Sequence, residues 1–336
     1  MSRYQPPCTL TPAIVTQVAR IAEAVGRLTA RLEAGEGLRL RRVNRIRTIH
    51  GSLAIEGNTL SEAQITAILD GRRVIAPPRE IQEVRNALLA YDGLTQWRAE
   101  EPQDLLAAHG TLMQGLIDDA GMWRHGGVGV MAGAQVIHMA PPANRVSLLM
   151  EQLLGWLATT DAHPLIASAV FHYEFEFIHP FSDGNGRMGR LWQTLILSRW
   201  NPLFADIPVE SLVHAHQTAY YAALQATTDR ADDAPFVEFM LDRILEAIAL
   251  SAPQVAPRIT PQVGRLLSVL QGEMSREALQ QALGLHDRKS FRERYLKPAL
   301  AAGLIAMSVP DKPNSRLQRY RLTDPGRAVL AEQQGH

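Results

Sequence analysis

The chain has 336 residues, with 34 basic and 34 acidic side chains and a single cysteine, Cys8. One thiol excludes a disulfide framework and a thiolate metal site. The first residues lack the apolar stretch of a signal peptide, and no apolar run reaches transmembrane length. We therefore expect a cytoplasmic protein without membrane contact, and the length predicts two or more domains.

Helical spacing of apolar residues dominates the first third of the chain and predicts a mainly α fold. Helices are predicted over residues 10–35, 41–56, 80–99 and 102–118. Gly57 should end the second of them. Within it, Ser52 and Glu56 are four residues apart and therefore lie on one face.

A β-hairpin is predicted over residues 128–142. This stretch, VGVMAGAQVIHMAPP, alternates loosely between apolar and other residues and ends in two prolines. A surface hairpin with no special role would have the same pattern.

The segment from His179 to Arg190, HPFSDGNGRMGR, holds one base, one acid, glycines and two arginines. Glycines let backbone N–H groups approach phosphate oxygens, and the helix predicted to follow presents its positive end to an anion. Asp183 suits a Mg²⁺ that carries phosphates, and His179 can accept a proton near neutral pH. The combination indicates chemistry on a nucleotide.

Two other nucleotide-binding patterns are excluded. The glycines match G-x-G-x-x-G, but the preceding residues 164–181 have helical spacing, whereas the dinucleotide fingerprint needs a strand there. No GK[ST] follows the glycines, so a P-loop is absent as well.

The C-terminal part of the chain differs in charge from the rest. Residues 258–336 carry 13 basic and 7 acidic side chains, net +6, against net −6 for the preceding 257 residues. After a proline-rich linker, the pattern predicts three helices and two strands, typical of a winged helix. Basic residues start the third helix, and others lie in the wing: Arg288, Lys289, Arg292, Arg294, Arg316 and Arg319. Duplex DNA is one predicted partner, and a protein–protein module is the alternative.

The central segment resembles the Fic (Fido) family, whose signature is HPFx[D/E]GNGRxxR. Every fixed position is matched, by His179, Pro180, Phe181, Asp183, Gly184, Asn185, Gly186, Arg187 and Arg190. The resemblance implies a mostly helical core that transfers AMP from Mg·ATP to a Ser, Thr or Tyr hydroxyl of a protein.

Site roles follow from the resemblance. His179 would be the general base and Asp183 the metal ligand. Asn185 would contact the α- and β-phosphates together with the backbone amides of the glycine loop. Met188 and Gly189 belong to the same nucleotide-binding segment. Arg187 would bind the phosphates, and Arg190 would bind the γ-phosphate.

Two further regions resemble family features. Val136, Ile137, His138 and Met139 would form the flap that pins the target's extended segment beside the nucleotide. Tyr220 and Tyr221 resemble an aromatic pair that contacts adenine in relatives, although as bare residues they fit a core equally well. Some relatives carry Asn where this chain has Thr228.

The stretch SLAIEGN resembles the family's inhibitory pattern [S/T]xxxE[G/N]. Ser52 and Glu56 match its fixed polar positions. A carboxylate at Glu56 could pair with Arg190, deprive the γ-phosphate of its partner and leave ATP in an unproductive pose. The alternative is a solvated acid at a helix end.

We therefore predict four regions: 1–103, N-terminal helices with the inhibitory motif; 104–250, the Fic domain; 251–260, a linker; and 261–336, a winged helix. The predicted function is an autoinhibited protein adenylyltransferase that uses ATP and Mg²⁺, self-modification included. Removal of AMP from a modified protein, and a DNA-binding regulator that senses nucleotide, stay open. A homodimer is a further expectation.

Overall fold

The protein is described from a computed structural model. It covers residues 4–32, 37–132, 135–251, 260–309, 315, 318–324, 326–327 and 329–330. Only the backbone is described for 30–32, 37–40, 129–132 and 135–138. Most of the predicted linker and Arg316 lie outside the described residues.

The chain divides into two compact units, residues 1–252 and 253–336. Helices of the first unit, in chain order, are α1 (Pro12–Leu32), α2 (Gly37–Ile55), α3 (Glu62–Leu69), α4 (Pro78–Asp92), α5 (Pro102–Met113), α6 (Ala143–Leu157), α7 (Pro164–Ile178), α8 (Asn185–Trp200), α9 (Val209–Ala215), α10 (Gln217–Arg230) and α11 (Ala234–Ser251). The mainly α prediction is confirmed. The helix predicted over 80–99 was too long, because α4 ends at Asp92 and a 3-10 turn, Leu94–Gln96, follows.

The predicted hairpin is present. Strands β1 (Gly129–Ala132) and β2 (Gln135–Met139) pair antiparallel, with a register shift between Val130 and Met131. They join α5 to α6 in sequence and are the two strands described in the first unit.

Helices α7 and α8 pack against each other at the centre of the first unit. Pro164 starts α7, where its missing N–H costs nothing, and the His163 ring accepts a hydrogen bond from the Leu165 N–H. Nearly all of α7 and most of α8 is buried, so the loop that joins them is fixed at both ends. In α8 the buried Trp192 indole donates to the Ala99 carbonyl at 2.8 Å.

The second unit has its own core around Leu266, Leu267, Leu279 and Phe291. Its helices are α12 (Pro261–Val269), α13 (Arg276–Ala282), α14 (Arg288–Phe291) and α15 (Lys297–Ala301), the last two joined by a π-helical stretch, Arg292–Leu296. The predicted strands are present as β4 (Ile305–Met307) and β5 (Arg319–Leu322). A short strand that was not predicted, β3 (Met274–Ser275), pairs with β5, so the sheet order is β3-β5-β4.

Helix α2 lies unusually close to α9 at Gly51. A Cβ at this residue would lie 2.6 Å from the Ser211 nitrogen and 2.7 Å from the Glu210 carbonyl carbon. Both are backbone atoms of α9, which cannot rotate away as a side chain can. The close approach therefore sets the position of the next residue, Ser52.

Gly51→Ala should destabilise the protein by about 1–3 kcal/mol, because the added methyl group forces α2 away from α9. Gly26→Ala is the matched control: Gly26 lies in α1, and a Cβ there would have no atom within 4 Å. At Gly26 we expect a stabilisation of up to about 1 kcal/mol from helix propensity. Urea unfolding of both variants measures the difference, and equal effects would contradict the close approach.

Candidate nucleotide site

His179 ends α7 in a left-handed conformation, φ 50° and ψ 62°. A residue with a Cβ adopts this region at a cost of about 1–2 kcal/mol, so the surroundings must hold it. Its N–H donates to the Phe175 carbonyl at 2.9 Å. The imidazole Nδ1 lies 3.4 Å from the Glu176 carbonyl oxygen. The ring thus has a defined orientation at the start of the loop between α7 and α8.

The loop closes on itself through Asn185. Its amide oxygen accepts from the Phe181 N–H, and its amide nitrogen donates to the Phe181 carbonyl, both at 2.9 Å. Gly184 precedes it with φ 85°, and a Cβ there would meet the Met113 sulfur at 2.7 Å. The Asn185 side chain therefore shapes the loop, and its contact with the phosphates stays a prediction; its backbone N–H, in the first turn of α8, has no partner within the helix.

His109 supports the loop, a role that no sequence motif predicted. Its Nδ1 accepts from the Gly121 N–H at 2.9 Å, and its Nε2 lies 3.0 Å from the Asp183 carbonyl oxygen. The ring stacks on Phe181 with centroids 3.5 Å apart. Burial lowers the pKa of His109 to about 4, so the ring stays neutral and donates from Nε2.

Arg124 was also missed, because a single arginine in a glycine-rich stretch carries no motif. It is 2% exposed. Its guanidinium donates to the carbonyls of His179 at 2.7 Å, Gly126 at 2.8 Å and Pro141 at 2.6 Å. Gly126 and Pro141 flank the hairpin, so Arg124 ties both ends of the hairpin to the backbone of His179.

Asp183 and Arg187 form an ion pair on the outer side of the loop. Arg187 Nη2 lies 2.9 Å from Asp183 Oδ1, and Arg79 Nη2 lies 3.3 Å from Asp183 Oδ2. Arg187 is buried, while the Asp183 side chain is 41% exposed. Glu83 Oε1 lies 3.4 Å from Arg187 Nη1.

Arg190 lies deeper, one turn further along α8, and is 2% exposed. Its Nη2 donates to Glu56 Oε1 at 2.7 Å and to the Ser52 carbonyl at 2.9 Å, and its Nε donates to Ser52 Oγ at 3.1 Å. The predicted pair of Glu56 and Arg190 is therefore present. Burial lowers the pKa of Arg190, but the opposing contributions of its neighbours, led by the Glu56 carboxylate, together raise the pKa above its ordinary value.

Glu56 also fills the space above Gly186. A Cβ on Gly186 would lie 2.5 Å from Glu56 Oε1 and 3.0 Å from Arg190 Nη1. The carboxylate thus lies against the first turn of α8, where backbone N–H groups and the helix dipole favour a negative charge.

Comparison with known proteins identifies the family of the chain. The sequence profile of the Fic/DOC family matches residues 99–197, and that of the Filamentation induced by cAMP protein Fic-like, C-terminal domain, matches residues 261–323. The crystal structure of a Fic family protein from Desulfovibrio desulfuricans G20 is 54% identical, with a TM-score of 0.73, over 96% of this chain and 99% of that one. The chain belongs to the Fic family.

Other relatives are more distant. The protein adenylyltransferase Fic of Aedes aegypti is 32% identical over 59% of this chain and 40% of its own length, and that of Drosophila grimshawi is 29% identical over 68% and 49%. The chain thus spans less than half of the curated relatives that it matches. Fic-1 from C. elegans, 24% identical with a TM-score of 0.57 over 70% of this chain, shares the fold.

One tyrosine of the aromatic pair cannot offer a stacking face. Tyr220 is 2% exposed, packs edge-on against Phe236, and its hydroxyl lies 3.2 Å from His172 Nε2. The predicted adenine contact of Tyr220 is corrected to a core position. Tyr221 is only partly buried and stays a candidate. Thr228 contacts the Tyr173 hydroxyl at 3.0 Å.

His172 is a core residue. It is fully buried, and its Nδ1 lies 2.7 Å from Gln193 Oε1. Burial lowers the pKa of His172 to about 3, so it remains neutral.

Of the predicted flap residues, Met139 is 69% exposed. The side chains of Val136, Ile137 and His138 lie outside the described residues.

The side chains beside the loop suit a Mg²⁺ ion that is bound partly by the phosphates of a nucleotide. Among the described side chains, no group of three or more His, Cys, Asp or Glu residues could hold a metal ion. Asp183 offers a partly exposed carboxylate beside the loop, and Mg²⁺ takes one or two carboxylates together with phosphate oxygens and water.

In the described part of the chain, no helix is both long and apolar enough to cross a membrane.

Glu176 is a buried carboxyl that the sequence did not single out. Its Oε1 has no hydrogen-bond partner, and its carboxyl oxygens lie 3.9 Å from His172 Nε2 and His179 Nδ1. Burial raises the pKa of Glu176 from 4.5 to about 8; Arg190 opposes this rise and Glu56 adds to it. Glu176 is therefore protonated near neutral pH while Glu56 is in place.

Glu176→Gln should change how stability depends on pH. Between pH 4.5 and the raised pKa, the folded protein holds one more proton than the unfolded chain, so the free energy of unfolding falls as pH rises. Relative to the variant, the wild type should lose about 1.4 kcal/mol per pH unit over most of this interval. Urea unfolding at several pH values measures this loss. A difference that does not change with pH would contradict the buried neutral carboxyl.

Proposed function

We propose that the protein is a protein adenylyltransferase that transfers AMP from Mg·ATP to a Ser, Thr or Tyr hydroxyl of a protein. Its support is the convergence of a base, a carboxylate and two arginines on one helix start, together with relatives named protein adenylyltransferase Fic. Transfer to the chain's own hydroxyl groups belongs to the same proposal.

The reaction is an in-line displacement at the α-phosphorus. The target hydroxyl oxygen forms a bond to that phosphorus while the bond to the bridging oxygen of the β-phosphate breaks, and pyrophosphate leaves. The hydroxyl proton passes to His179. The Glu176 carbonyl, 3.4 Å from Nδ1, favours the tautomer that carries its proton on Nδ1, so that Nε2 is the nitrogen that accepts the hydroxyl proton.

The phosphates would lie over the first turn of α8. Backbone N–H groups from Asn185 to Arg187 would face an anion there, and Gly186 would let it approach because this residue carries no side chain of its own. Asp183 would hold Mg²⁺, which neutralises phosphate charge when bound. Arg187 and Arg190 would donate to the β- and γ-phosphates.

Glu56 holds the enzyme inactive in this proposal. Its carboxylate takes the Arg190 contact that the γ-phosphate needs and occupies the space above Gly186. ATP then binds with its α-phosphorus out of line with the target hydroxyl. Removing Glu56 leaves the buried guanidinium of Arg190 without its anion, which favours binding of the γ-phosphate of ATP to Arg190.

Glu56→Gly should raise AMP transfer at least about tenfold, since each factor of ten corresponds to only 1.36 kcal/mol of barrier. His179→Ala should abolish transfer in the same background, because no base remains to take the proton. Incubation with α-phosphate-labelled ATP, Mg²⁺ and cell extract, followed by detection of labelled protein, measures both. Glu62→Gly, an exposed acid in the first turn of α3, is the control and should match the wild type.

Equal labelling of wild type and Glu56→Gly would contradict inhibition by Glu56. Absence of label in every variant would favour the reverse reaction, in which Glu56 positions a water for hydrolytic removal of AMP. Release of AMP from a pre-labelled protein by the wild type, lost in Glu56→Gly, distinguishes that function from an inactive enzyme.

We also propose that the second unit is a winged helix that binds duplex DNA. Its support is a cluster of basic side chains that are all exposed in the first turns of the third helix: Arg288, Lys289, Arg292 and Arg294. A helix start of this kind can enter the major groove. Asp287 caps the helix through the N–H groups of Lys289 and Ser290, which leaves the basic side chains available.

Reversing the charge of two of these residues, Arg288→Glu with Arg292→Glu, should abolish DNA binding by the full-length protein. The wild type should lose affinity steeply as salt rises, because binding releases counterions from the phosphates. Fluorescence anisotropy with a labelled duplex measures both effects. Binding that the double variant retains would contradict this use of the third helix.

A further inference from the structure

The turn that carries Glu56 is fastened to α4. Asn58 is 8% exposed, and its Nδ2 donates to Glu83 Oε2 at 2.8 Å and to the Glu80 carbonyl at 3.2 Å. Thr59 adds two bonds from its N–H and hydroxyl to Glu80 Oε2, at 2.7 and 2.8 Å. These bonds hold the chain just beyond the end of α2.

The backbone alone gives Glu56 little support. Helix α2 ends at Ile55, and Gly57 follows Glu56 with φ 90°. The Glu56 and Asn58 N–H groups both donate to the Leu53 carbonyl, at 3.0 and 3.1 Å. The turn is therefore a short helix end with a glycine in it, and side-chain contacts beyond it decide where the Glu56 carboxylate lies.

Glu83 contacts the nucleotide site with its other oxygen. Its Oε1 lies 3.4 Å from Arg187 Nη1 and 3.5 Å from Arg79 Nε, and the side chain is only 12% exposed. One carboxylate thus binds the Glu56 turn on one side and a phosphate-site arginine on the other. Because Glu83 is held by Arg187, which is 4% exposed, it is a fixed anchor for the turn.

We propose that Asn58 and Glu83 form a latch that positions Glu56 on Arg190. This inference rests on the proposed function and names the residues that maintain its inhibited state. Asn58 and Thr59 both donate to a carboxylate, but the contacts of Thr59 with Glu80 are exposed, whereas Glu83 is only 12% exposed. Water screens the bond from Asn58 to Glu83 less, so this bond restrains the turn more. In the described structure, both arginines expected to bind phosphates are paired with carboxylates, and the latch joins the two pairs.

Asn58→Asp tests the latch with almost no change in shape. It replaces the amide that donates to Glu83 with a carboxylate that repels it, while the oxygen that accepts from the Leu60 N–H at 3.1 Å is retained. AMP transfer should rise about threefold or more over wild type, since hydrogen bonds to charged groups are the strong ones. In the Glu56→Gly background the same substitution should change transfer less than about twofold, because the latch then has no carboxylate to position.

Thr59→Val is the matched control. It removes the hydroxyl bond to Glu80 in the same turn but leaves Glu83 and Arg187 untouched, and transfer should stay at the wild-type level. Labelling with α-phosphate-labelled ATP measures all variants side by side.

The outcomes separate the latch from the proposed function. If Glu56→Gly raises transfer but Asn58→Asp leaves it unchanged, the latch is wrong and the proposed function stands. If Asn58→Asp lowers transfer in both backgrounds, Asn58 has a structural role only and the latch is equally wrong. If Glu56→Gly itself has no effect, the proposed function fails and the latch fails with it.

Discussion

The buried guanidinium of Arg190 is the constraint on which the site depends. A cation that is 2% exposed needs an anion, because an unpaired charge in the interior is costly. In this structure Glu56 supplies the anion, and Ser52 accepts from Nε and from Nη2. In the function that we propose, the γ-phosphate is the other anion that suits the same position. Carboxylate and phosphate would then compete for one buried group, and the competition would set whether ATP can lie in a reactive pose.

The surrounding fold fixes the place of Glu56 and of the loop between α7 and α8. Gly51 lets α2 approach the backbone of α9, which brings Ser52 and then Glu56 to Arg190. On the opposite side, the buried contact of α7 with α8 fixes the loop that starts at His179. Arg124 links the backbone of that histidine to both ends of the hairpin, so the proposed base and the proposed target-binding segment share one support.

Residues that act through a local motif could be predicted from the sequence, and residues that act through distant contacts could not. The resemblance of SLAIEGN to the family's inhibitory pattern predicted a pair of Glu56 with Arg190, and the pair is present. His109 and Arg124 carry no motif, because their partners are backbone atoms far along the chain. Tyr220 was placed at the adenine by resemblance, yet its ring is enclosed by neighbours from α7 and α11.

The central claim is that Glu56 competes with the γ-phosphate for Arg190, and it can be measured without catalysis. Calorimetry would give the affinities of ATP and ADP in a His179→Ala background, with and without Glu56→Gly. ADP lacks the γ-phosphate, so its affinity should change little, whereas the affinity for ATP should rise and the ratio of the two should increase at least about tenfold when Glu56 is removed. The same ratio in both backgrounds would contradict the account.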